Sequence, residues 1–420
     1  MGTKEIVKCR SCYSEDLIPI ISFGNQYISN FVSSEEENEK GIQVPLDLVL
    51  CGNCKLLQLK HDAPPEAMWG EQYWYKSGIS STIKADLKDI SEKAQKLLEL
   101  KSGDLIVDIG SNDGTLLEFY DKGKGIELVG FEPSGNVARE AMAKGFNVIN
   151  NFFNAEEFEK GFPGRKAKVI TAISMFYDLE NPNRFLEDIK QCLDKSGLFV
   201  IQQNYLLTML EQNAFDNILH EHREYHSLIS LNGLLNQHGL EIFDIEQNSI
   251  NGGSIRTYIK FRENGSLLGF PGSEERIRSL LEKEKQIGLD TLKPYLEFAS
   301  RIDGIKQKLL GFLKQEKAKG KRIWIYGAST RGNVALQYFS LDSNLIDGIA
   351  DMNSDKWGKK TIGTLIPIYN PEEMRKAIPD YLLVNTWHFL DEIIKQEKDY
   401  FEAGGKFIVA LPEFKVISKD

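Results

Sequence analysis

Residues 105–132 read LIVDIGSNDGTLLEFYDKGKGIELVGFE. An apolar run, Leu105–Ile109, leads into a loop with glycines at 110 and 114, then a helix-like stretch, then a second apolar run that closes on Glu132. Runs of this kind, alternating with helical patterns, mark a mostly parallel sheet covered by helices on both faces. The glycines let a ligand approach the backbone, and a helix start offers it free amides. Glu132 ends the next strand, where a carboxylate accepts hydrogen bonds from both ribose hydroxyls. Nicotinamide binders use that acid too, but their loop reads GxGxxG, and this one does not. Asp108 with Gly110 and Gly114 suits a cofactor that has no pyrophosphate and carries a sulfonium, which is S-adenosylmethionine (SAM). The competing reading is a structural tight turn.

The alternation continues outward. Further strands are expected near Phe146–Ile149, Val169–Ile173, Leu198–Gln202, Leu240–Ile245 and Ile255–Lys260. Ahead of the quoted stretch, Leu87, Ile90, Ala94, Leu97 and Leu98 predict a helix over 84–100. Beyond a linker at 262–274 comes a long charged helical region, 275–319. A second alternation follows at Arg322–Tyr326, Ile346–Ala350, Tyr381–Asn385 and Lys406–Ala410. That predicts a second, smaller doubly wound domain. Residues 1–70 read as irregular, with short strand-like pieces such as Leu46–Leu50 and Leu56–Leu59.

The 420 residues carry 51 Lys+Arg against 61 Asp+Glu, a formal charge of −10, which disfavours a nucleic-acid partner. No apolar run reaches the roughly 18–20 residues that cross a bilayer, and the N-terminus lacks a signal-peptide core. A cytoplasmic protein without a membrane partner is expected. Four of the five cysteines form two CxxC pairs, Cys9/Cys12 and Cys51/Cys54. In a reducing compartment such pairs hold metal, and four thiolates give Zn²⁺ a closed, structural site.

Other segments carry chemistry. HEHREYH, 220–226, holds three of the six histidines. The i, i+2 spacing does not suit a helical zinc site, whereas a histidine oriented by a carboxylate makes a general base. Tyr73–Ser80, YWYKSGIS, combines aromatics with hydroxyls just before the first domain. Asn251–Ser254, NGGS, forms an anion nest or a plain turn. Tyr326–Asn333, YGASTRGN, places Ser329, Thr330 and Arg331 at a strand-to-helix turn, a set suited to phosphate.

Taken in order, the CxxC pairs, YWYKSGIS, DIGSNDGTLL, FYDLENP, HEHREYHSL, INGGS and YGASTRGN resemble the zinc-containing class I methyltransferases that C-methylate nucleotide-linked deoxysugars. The resemblance implies an α/β chain: a four-cysteine zinc module (1–70), a SAM-binding Rossmann-like domain (71–262) and a second Rossmann-like domain (263–420) that helps hold the nucleotide sugar. It implies methylation at C3 of a 4-keto-6-deoxy sugar through an enolate. The alternative is an O- or N-methyltransferase on a related sugar. His222 would be the base and Glu221 its polar neighbour, with Tyr75 approaching the sugar. Asp108, Gly110, Asn112, Asp113, Glu132, Phe152 and Ser174 would contact the cofactor. Tyr75, Ser77, Tyr177, Tyr225, Asn251, Gly253, Ser329, Thr330 and Arg331 would face the substrate. The sequence departs from the family pattern at Leu219, where such enzymes can have Tyr, and at Asp178, where some have His. Tyr177, Tyr225 or His220 would then have to stabilise the enolate. A monomer or weak homo-oligomer is expected.

Overall fold

The computed structural model describes residues 3–69 and 73–419; the expected boundary at 70/71 lies outside them. The first large sheet has seven strands, in the order Leu240–Asn248, Ser254–Phe261, Leu193–Asn204, Ala167–Ile173, Leu105–Ile109, Glu127–Phe131, Asn147–Ile149. Only Ser254–Phe261 runs against its neighbours. Every residue of Leu105–Ile109 is buried, as the unbroken apolar run requires of a central parallel strand. The preceding helix, Ser81–Leu97, is capped by the Ser80 hydroxyl, which accepts from Ile83 N, and it buries Ile83, Leu87, Ile90 and Ala94.

The second sheet has six strands, five of them parallel, with Ile323–Tyr326 at its centre and Lys415–Ile417 antiparallel at one edge. The helical region expected at 275–319 is two helices, Ser273–Ile287 and Lys293–Ala318. Gly288, at φ +85°, supplies the left-handed residue that ends the first.

Residues 1–70 are more regular than expected: the strand-like pieces Leu46–Leu50 and Leu56–Leu59 fall on the paired strands Gln43–Cys51 and Leu57–Leu59, and Leu17–Tyr27 adds a third strand antiparallel to Gln43–Cys51. Pro19, which breaks the apolar run in sequence, sits at a register shift between these strands. Against expectation, the loop after Leu105–Ile109 opens no α-helix; it leads only to a single 3₁₀ turn, Leu117–Phe119.

The modules share one core. Phe23 and Leu48 of the N-terminal sheet, Leu206 and Phe215 of the first domain, Phe298 and Leu309 of the long helix, and Ile325 and Leu383 of the second domain belong to a single buried apolar cluster. Gln337 also bonds both the N–H and the C=O of Tyr27, and Lys360–Thr361 pairs with Phe31–Val32.

Candidate active site

A cavity of about 330 Å³ lies at the carboxyl ends of Leu105–Ile109 and Ala167–Ile173, where the strand order reverses. Asp108, Gly110, Asn112, Glu132, Phe152 and Ser174 all line it. Glu132 accepts from Asn112 N (2.9 Å) and Ser134 N (2.8 Å), one amide on each oxygen. Each oxygen keeps a second lone pair for a ribose hydroxyl. Ser111 lines the cavity, but its Oγ is buried against Gly130 and has no partner among the described residues. Gly110 has φ +70°, and a Cβ there would lie 3.2 Å from the Met175 side chain. Burial pushes the Asp108 carboxyl up to about 7, even though the Thr171 hydroxyl donates to it at 2.6 Å.

Asp113 does not line the cavity. Its carboxylate accepts from Gly78 N (2.9 Å) and from the Thr115 hydroxyl (2.6 Å). Asn112 Oδ1 accepts from Ser77 N, and its amide donates to Tyr75 O. The YWYKSGIS segment is thereby fastened across the glycine loop, with Tyr73, Tyr75 and Ser77 in the cavity lining.

The His220–His226 segment is divided between two neighbours. His222 Nδ1–H donates to Asn217 O at 2.8 Å, and its ring packs on Tyr177 with centroids 4.1 Å apart. Burial is the main cause that brings its pKa down to about 3, and Arg331 adds to it. His220 points elsewhere: its Nε2–H donates to Val44 O in the N-terminal sheet, so it is no part of this cavity. Glu221 accepts from the Tyr73 hydroxyl (3.4 Å) and makes no bond to His222; burial pushes it up to about 7. Tyr225 belongs to the strand Glu224–Tyr225, which pairs with Leu57–Gln58. The Asn217 carbonyl, not Glu221, orients the imidazole.

Asn251 lines the cavity and its carbonyl accepts from Arg331 of the second domain (3.1 Å); Ser329, Thr330 and Arg331 themselves do not line it. Arg331 also pairs with Asp216 at 2.8 Å. Ser329 Oγ accepts from Gly332 N as a helix cap. Gly253 turns the chain at φ +124° and packs against Thr208 rather than the cavity.

Cavity-lining residues that the sequence did not single out include Trp69, Asp86, Gln202 and Arg223. Of these, Arg223 carries a signal, since it sits inside the HEHREYH segment. It pairs with Asp62 (2.9 Å), and its Nη1 donates to Asp178 O (2.6 Å), tying the N-terminal module to the cavity wall.

The four cysteine sulfurs lie within 4.8 Å of one another, and Cys9–Cys54 and Cys12–Cys51 are each 3.5 Å apart. Zn–S bonds of about 2.3 Å in a tetrahedron require S···S separations near 3.8 Å, so the set fits Zn²⁺. Gln58 and Asn53 amides point at Cys9 and Cys12 sulfurs, as outer-shell donors do. With all four positions filled by thiolate, the ion has no place for substrate.

Comparison with known proteins gives three domain matches: a zinc binding domain over 9–69, a methyltransferase domain over 83–245, and a C-methyltransferase C-terminal domain over 249–412. The chain is 31% identical to the C-methyltransferase NovU of Streptomyces niveus, over 99% of this chain and 98% of that one. Among solved structures, the plantazolicin methyltransferase BpumL in complex with SAH aligns with 41% of this chain and 82% of its own, at 16% identity and TM-score 0.34. A SAM dependent methyltransferase from Aquifex aeolicus aligns with 42% of this chain and 98% of its own, at 17% identity and TM-score 0.31.

Proposed function

Since the chain belongs to the C-methyltransferase family, we propose that it methylates C3 of a nucleotide-linked 4-keto-6-deoxyhexose, with His222 as the base. It is a SAM-dependent methyltransferase with a zinc-binding N-terminal module. SAM supplies, when bound, a methyl group on a sulfonium; Gly110, Asn112, Glu132, Phe152 and Ser174 would hold it.

The rest of the chemistry falls to the protein. A ketone at C4 acidifies the C3 hydrogen, because the electron pair left behind delocalises onto the ketone oxygen. The Nδ1–H of His222 is committed to Asn217 O, so the lone pair stands on Nε2. With its pKa at about 3 the ring is neutral across the working range. It gains basicity as negative charge builds beside it, because an opposite charge favours the imidazolium. Arg331, fixed by Asp216 and Asn251, suits the diphosphate of the nucleotide. Ser329 and Thr330 flank it.

The observation that carries this reading is an imidazole locked in one tautomer in a buried setting; it does not itself line the cavity, but Arg223, the next residue, and Asp178, next to its stacking partner Tyr177, both do. Incubation with SAM and a panel of dTDP- and GDP-linked 4-keto-sugars tests it, the added methyl being located by NMR. A new carbon–carbon bond at C3 supports the proposal. A methyl on oxygen or nitrogen, or turnover of a sugar lacking the ketone, assigns the reaction to the O- or N-methyl class instead.

A further inference from the structure

An enolate needs a donor for its oxygen. Three candidates offered by the sequence lie elsewhere: His220 donates to Val44 O, the Tyr225 hydroxyl reaches Asn217 O at 3.5 Å, and Tyr177 packs against His222 outside the cavity lining. The Tyr73 hydroxyl donates to Glu221. Asp178 remains. It lines the cavity, and its Oδ1 is buried without a hydrogen-bond partner among the described residues. Its backbone is fixed from both sides, since its N–H donates to Met175 O and its carbonyl accepts from Arg223.

We infer that Asp178 works as a carboxylic acid whose O–H donates a hydrogen bond to the ketone oxygen of the substrate. This rests on the enolate reading above. When the C3–H bond breaks, the proton passes to His222 Nε2. The electron pair enters the C3–C4 bond as the carbonyl π pair moves onto oxygen, and Asp178 keeps its proton while stabilising that charge.

The surroundings suit this form. Tyr73, Tyr177, Glu221, Arg223, Glu224 and Tyr225 are the ionisable groups that face Asp178. Burial pushes its carboxyl well above the ordinary range, Glu221 and Glu224 push the same way, and Arg223 opposes them. A carboxyl kept neutral by an apolar, like-charged setting is an effective oxyanion donor.

The test is the rate at which substrate C3–H exchanges with D₂O, without SAM, from pH 5 to 9. The wild-type rate falls at alkaline pH as Asp178 ionises. Asp178→Asn keeps an N–H donor that cannot titrate, so the alkaline fall disappears. Asp178→Leu slows exchange about 10²–10³-fold, the usual cost of losing one oxyanion donor, while SAM affinity by calorimetry is unchanged. An alkaline fall that persists in Asp178→Asn, or wild-type exchange in Asp178→Leu, overturns the assignment. Absence of exchange in the wild type with every keto-sugar overturns the enolate reading, and the donor role with it.

Discussion

Glu221→Gln removes a buried charge and keeps an acceptor for the Tyr73 hydroxyl. Glu221 is 7% exposed, and burial raises its carboxyl from 4.5 to about 7. Below pH 4.5 the carboxyl is protonated in both folded and unfolded chains. As pH rises towards 7, the unfolded carboxyl ionises freely while the folded one stays neutral, and the native state loses stability throughout that window. Each pH unit of the window costs about 1.4 kcal/mol, so the loss totals about 3 kcal/mol. Glutamine has no such loss. The stability of Glu221→Gln relative to wild type, from urea unfolding curves at a series of pH values, should therefore rise by about 3 kcal/mol between pH 4.5 and 7.5 and then level off. A difference that stays constant across that range would show that Glu221 ionises normally, and would refute the picture of a dry wall behind the cavity.

Other perturbations probe the rest of the site. Glu132→Gln should weaken SAM binding about 10–100-fold in calorimetry, the worth of a charge-assisted hydrogen bond; an unchanged Kd would remove the ribose role. Arg331→Lys keeps the charge but loses the planar fork, so KM for the nucleotide sugar should rise about tenfold while SAM affinity holds; equal loss of both would place Arg331 outside substrate recognition. Cys51→Ser should release the metal, seen by elemental analysis, and lower Tm. Because Glu224–Tyr225 is a strand of the zinc module's sheet, turnover should fall more than SAM binding; full turnover without zinc would separate the module from catalysis.

The two large sheets were legible because their central strands are buried on both faces and so read as unbroken apolar runs. Leu105–Ile109 and Tyr381–Val384 are examples, buried at every position. The N-terminal sheet was legible only in part, as the strand-like pieces Leu46–Leu50 and Leu56–Leu59. Leu17–Tyr27 contains Pro19, Ser22 and Gly24, and its pairing with Gln43–Cys51 is set by contacts across a long loop. The zinc ligands could be read because spacing alone defines them. The HEHREYH segment could be recognised but not divided: nothing local shows that His220 turns to Val44 while His222 turns to Asn217. The ion pair of Arg331 with Asp216, 115 residues apart, and the Arg223 link from Asp62 to Asp178 are products of tertiary packing.

The role of His222 is tested most directly by C3–H exchange into D₂O with the His222→Asn protein on a keto-sugar the wild type accepts. Exchange should fall about 10²–10⁴-fold, the usual worth of a positioned base, with SAM affinity intact. Exchange at the wild-type rate would show that a different group removes the proton.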